Sequence, residues 1–125
     1  MTEVEFSPLL SELTETAAAL NRESDSINSL IERFQQMLRE LNVGIPVWVD
    51  LYDQPDTRLG WIKGSTDEWM LVIKDDRPVF AKPLLEMSRD MRISALHAFP
   101  GLVAQLNTAA EAALRTIKEA KEFVK

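Results

Sequence analysis

The chain has no cysteine and only one histidine among its 125 residues. Without cysteine there is no disulfide, no thiolate nucleophile and no cysteine-ligated metal, and this usage agrees with a reducing compartment. No stretch approaches the roughly 20 consecutive apolar residues that cross a bilayer. The opening Met1-Thr2-Glu3-Val4-Glu5 lacks the basic and apolar regions of a signal peptide. The expectation is a cytoplasmic protein without a membrane partner. Positive charge is also short: 14 Lys and Arg against 20 Asp and Glu leave a net charge of −6, which makes phosphate backbones poor partners and argues against nucleic acid. The acidity is concentrated in residues 1–42. The few glycines form no phosphate-binding fingerprint, because neither Gly60 nor Gly64 belongs to a Gly-rich turn leading from a strand into a helix.

What is present suits one folded domain. The length lies near the modal domain size, 46% of residues are hydrophobic and 27% are charged, and no repeat, low-complexity tract or long linker divides residues 1–125. The first 42 residues are helical in pattern. Ser7 can cap the helix, Pro8 suits its first position, and Gly44-Ile45-Pro46 ends it, giving a helix over about 7–42. Its apolar residues follow a heptad, with Leu10, Ala17, Ile31 and Leu38 at one position and Leu13, Leu20, Ile27, Phe34 and Leu41 three residues further on. The polar stretch Asn21 to Ser26 could be a loop. The register nevertheless survives from Leu20 to Ile27, which favours a continuous helix.

The period then shortens to that of strands. Ile45–Tyr52, Thr57–Lys63 and Glu68–Lys74 are rich in β-branched and aromatic residues and are separated by turn chemistry, with a short edge strand at Val79–Ala81. Pro83 returns the chain to helix, and Pro100 is expected to break or restart it. From there Val103, Leu106, Ala110, Ala113, Ile117, Ala120 and Val124 form a stripe. The fold class is α+β: a long N-terminal helix, a three- to four-stranded antiparallel meander over about 45–81, and C-terminal helices over about 83–124 packed on the sheet, in α-β-β-β-α order.

The long stripe has two readings. As a coiled-coil seam, Leu13, Leu20, Ile27, Ile31, Phe34 and Leu38 would form an assembly surface. The flanking Thr14, Asn21, Asn28 and Gln35 are neutral, and Leu9, Leu30 and Met37 widen the stripe, which equally suits a helix buried against its own sheet and a second helix. Excess length favours some self-association, since the helix outreaches strands of about 23 Å.

Candidate sites are few. Trp48, Tyr52, Trp61, Trp69 and Phe80 gather most large aromatics in the sheet, as a core or as a partner or ligand surface, with strand alternation placing Trp48 and Tyr52 on one face. Asp50, Asp53 and Asp56 have turn spacing and do not match an EF-hand loop, so no metal is expected. His97 has no nucleophile motif or second ligand beside it. Arg89 and Arg92, with Lys82, offer a weak basic spot or pairs for Glu86 and Asp90. With no catalytic residue, metal or cofactor-binding residue in sight, the residues predict a non-enzymatic, homodimeric interaction or assembly module with a protein partner. Alternatives are an acidic chaperone or adaptor for a client protein, and a small-molecule-binding protein or cryptic enzyme with a pocket between sheet and helices.

Overall fold

Asn42, in the left-handed region at φ 52°, ends a helix that runs unbroken from Glu3 to Leu41 (α1). The computed structural model describes residues 3–76 and 81–124, with side chains from Phe6 onward. The 39 residues of α1 span about 58 Å at 1.5 Å per residue, and the segment Asn21 to Ser26 is helical throughout. The start differs from the sequence expectation. Ser7 does not cap the helix, and Pro8 lies inside it. As the sixth helical residue, Pro8 removes one i→i−4 bond close to the end of the ladder, where few bonds precede it.

Four strands follow in the order β1-β2-β3-β4, all neighbours antiparallel. β1 (Val47–Asp50) is shorter than the apolar run suggested, β2 (Thr57–Lys63) matches it, and β3 (Trp69–Asp75) is shifted by one residue. The expected edge strand at Val79–Ala81 falls mostly outside the described residues. The described edge strand is β4 (Lys82–Pro83), which pairs with Ile73 and Val72 of β3. A 3-10 turn over Leu84–Glu86 then leads to Ser88, whose hydroxyl accepts the Met91 amide at 3.3 Å and caps the second helix, α2 (Arg89–Val124).

Pro100 does not break α2. It sits on the exposed side, while Phe99 is half-buried and Leu102 fully buried. Packing on both sides of the proline holds the helix together against the missing backbone bond.

Sheet register sorts the side chains. Val47, Trp61 and Leu71 align on one face, as do Val49, Leu59 and Ile73, and this face packs with Ile31, Leu38, Ala95, Leu102 and Leu106 of the helices to form the core. On the other face Trp48, Gly60, Val72 and Pro83 align across all four strands. Trp48 lies flat over Gly60, where an added Cβ would be 2.5 Å from the ring.

α1 closes the edge of β3 that the two-residue β4 leaves open. The Leu71 amide donates to Gln35 Oε1 at 2.8 Å, and the Trp69 carbonyl accepts from Arg39 Nε at 2.7 Å. One turn of helix thus substitutes for a strand. Gln35→Leu keeps the size but strands the Leu71 amide, and we expect a loss of about 1–2 kcal/mol in urea denaturation. A loss indistinguishable from zero would mean that water replaces the amide side chain.

The helices meet over a limited segment. Arg92 donates to Asn28, and the rings of Phe34 and Phe99 stack with centroids 4.1 Å apart. Both contacts advance along both helices, so α1 and α2 run in the same sense where they touch. If the helices were antiparallel with Phe34 beside Phe99, Asn28 and Arg92 would lie beyond side-chain reach. It follows that α1 before about residue 24 and α2 after about residue 106 leave the packed region at opposite ends.

Candidate functional site

The heptad stripe of α1 divides into two halves with different surroundings. Ile31 and Leu38 are buried and Ile27 and Phe34 are packed against the core, so this half is consumed within the chain. Leu13 and Leu20, in the same phase, are exposed, as are Phe6, Leu9 and Leu10 beside them. Leu13 retains 62% of its surface. α2 behaves alike: Leu106 is the last buried residue, beyond which Leu114, Ile117, Phe123 and Val124 are exposed. Each chain therefore carries two amphipathic arms that are bare over most of their length, an α1 arm of residues 6–23 and an α2 arm of residues 107–124, with Ala109 at the base of the second still touching the core. Monomeric proteins seldom show contiguous apolar area of this kind, and it marks a surface made to be covered.

Both arms are shaped for helical packing. Thr14 donates its hydroxyl to the Leu10 carbonyl at 2.8 Å, and Thr116 donates to Ala112 at 3.1 Å, so each threonine satisfies its own polar group within its helix. The α2 arm is rich in alanine, including Ala109, Ala110, Ala112, Ala113 and Ala120, which lets another backbone approach closely.

The aromatic residues do not converge on one surface. Trp61 is buried at 1% exposure and stacks on half-buried Trp69 at 6.0 Å, on the inner face of the sheet. Trp48 is on the outer face, with the Lys74 ammonium 5.8 Å from its ring. Tyr52 lies beyond the end of β1, fully exposed in the β1–β2 connection, and so does not share the face of Trp48. Phe80 lies outside the described residues.

Tyr52 instead borders an open cleft of about 580 Å³ between this connection and α2. Asp50 and Asp53 line one wall, and Ser94, His97, Ala98 and Gly101, spaced along one face of α2, line the other. No spacing in the chain links His97 to these carboxylates, because only tertiary packing brings them together. The cleft is not arranged as a nucleophile with its base. Buried Ser94 donates to Asp53, and among the described residues no hydrogen bond joins His97 to a carboxylate. Asp50 faces Arg58 at 3.4 Å, and Asp56 occupies a left-handed turn position at φ 55°, so the three aspartates do not form one set. Among the described residues no group of three metal-ligating side chains occurs. Lys82 is exposed on β4, Arg89 and Arg92 are half-buried at the start of α2, and no ion pair joins them to Glu86 or Asp90 among the described residues.

The chain matches no known family, no curated protein and no solved structure. No helix of the described residues is long and apolar enough to cross a membrane.

Proposed function

We propose that this protein is a non-enzymatic assembly module that self-associates through its helical arms. The observation that carries the reading is the bare half of the α1 stripe: the same heptad that packs Ile31 and Leu38 into the core continues to Phe6, and there its large side chains are exposed among the described residues. Nine large apolar side chains on the arms are exposed, five on α1 and four on α2. Covering the exposed half of one such side chain gains on the order of 1 kcal/mol, half of the roughly 1.5–3 for full burial. Eighteen in a pair of chains exceed the ~4–15 kcal/mol that association costs. Light scattering across a concentration series is expected to give a stable mass of twice the 14.2 kDa chain. A strict monomer at high concentration would defeat the reading.

A second reading rests on the cleft between Tyr52 and His97. Its volume is that of small-molecule sites, with a few polar groups on otherwise apolar walls. Under this reading the chain binds a small polar ligand and assembly supports the site. The acidic chaperone or adaptor role shares the arms as its apparatus, with a client helix in place of a second copy.

A further inference from the structure

We propose that two copies form a closed two-fold dimer in which the acidic α1 arm of each chain pairs antiparallel with the α2 arm of the other. This rests on the assembly reading and specifies its partner, direction and register. Direction follows from the fold. α1 runs towards the packed region, α2 runs away from it, and the arms point to opposite ends. A two-fold axis perpendicular to the helices therefore lays each α1 arm beside the other chain's α2 arm, antiparallel and at both ends at once. No arm is left bare and nothing remains to recruit a third chain, which distinguishes this arrangement from a head-to-tail pairing that would grow without closing.

The arms fit. From base to tip they are nearly equal in length, residues 23 to 6 on one and 107 to 124 on the other. From Phe6 to Leu20 the α1 stripe advances by four, three, four and three residues, and the α2 stripe read backwards from Val124 to Ala110 does the same. Matching tip to tip and base to base sets Leu13 against the partner's Ile117, Ala17 against the partner's Ala113 and Leu20 against the partner's Ala110. Large residues meet small ones at two of the layers, and the alanine pair permits close approach at the centre.

The residues flanking the seam settle which arm pairs with which. In this register Leu9 meets the partner's Phe123, Thr16 meets the partner's Thr116 and Asn21 meets the partner's Asn107, while Ser7, Thr14 and Glu23 meet the partner's Lys121, the partner's Leu114 and the partner's Ala109, so the flanks bring no charges of one sign together. The rival closed dimer, with its axis along the helices, pairs α1 with α1 and α2 with α2. That arrangement brings together two identical arms of net negative charge, each with Glu12, Glu15 and Glu23 against Arg22 alone, and sets Leu9 beside the partner's polar Thr14 in place of Phe123. The α2 arm carries three acids and three bases and is the better neighbour for an acidic helix.

Because the chain has no cysteine, the register can be read by single-cysteine crosslinking. Ala17→Cys and Ala113→Cys chains are refolded separately and together, then oxidised, and the mass of each sample is checked by light scattering. The mixed sample is expected to give at least tenfold more crosslinked dimer than either chain alone, and an A17C/A113C double variant is expected to stop at the dimer. Self-crosslinking of the A17C chain would overturn the proposal in favour of like-with-like arms. A ladder beyond dimer would overturn closure. A dimer that never crosslinks would place the interface elsewhere, and all three results leave assembly itself standing. Only a monomeric mass for the unsubstituted chain would remove the assembly reading as well.

Discussion

Leu13→Asp is expected to convert the dimer to a folded monomer, weakening association about a thousandfold. Leu13 is exposed within its own chain, so the substitution costs the monomer little beyond helix propensity. In the assembly it acts twice, once in each arm pair. Each site loses the burial of a leucine and must desolvate a carboxylate without a partner, at about 2 kcal/mol or more per site. The two sites sum to about 4 kcal/mol, and every ~1.4 kcal/mol is tenfold in the dissociation constant. Glu15→Gln, on the side of the helix away from the stripe, is the control and should leave the mass unchanged. Ile31→Asp, in the same heptad but fully buried, should unfold the chain instead. Light scattering separates the first two outcomes, and far-UV circular dichroism reports the third. A Leu13→Asp chain that remains dimeric would remove the α1 arm from the interface.

The contrast between Leu13 and Ile31 also shows how far the sequence could be read. Heptad phase depends on local spacing alone, so the unbroken passage through Asn21 to Ser26 and the helix end near Gly44 were legible. The two prolines were misread for one reason: their local cost is fixed, but whether a helix tolerates it depends on what holds the flanks. Near the start of α1 there is little ladder to lose, and around Pro100 the flanking Phe99 and Leu102 are anchored in the core. Nothing in the spacing could show where the α1 stripe stops being covered, since Leu20 and Ile27 are equivalent in phase and differ only in what lies opposite. A pocket between sheet and helices was among the expectations, but its lining by Asp50, Asp53 and Ser94 could not be read, for the same reason. Asp53 and Ser94 are far apart in sequence, and Tyr52 left the strand alternation because β1 ends at Asp50. Tertiary packing decides such matters, and it leaves no period in the chain.

The three tryptophans give the sharpest test of the sheet's two faces. Trp61→Ala should cost about 3–5 kcal/mol, because the indole is fully buried between Val47 and Leu71 in the ladder and stacks on Trp69. Trp48→Ala, on the outer face and only half-buried, should cost about 1–2 kcal/mol. Trp48 is coupled to the strand beside it, because its ring occupies the space where a side chain at position 60 would stand. Gly60→Ala should therefore destabilise the unsubstituted protein by about 1–3 kcal/mol through overpacking. In the Trp48→Ala background the obstruction is gone. There the alanine should stabilise by about 0.4–1 kcal/mol, since it narrows the unfolded ensemble at a position whose φ is not left-handed. The sign of one substitution thus reverses with a residue on the neighbouring strand. A double-mutant cycle in urea, followed by far-UV circular dichroism at one fixed chain concentration, measures the reversal directly. Additive effects would mean that the ring moves aside at no cost, and that the outer face is held together by something other than Trp48 lying across Gly60.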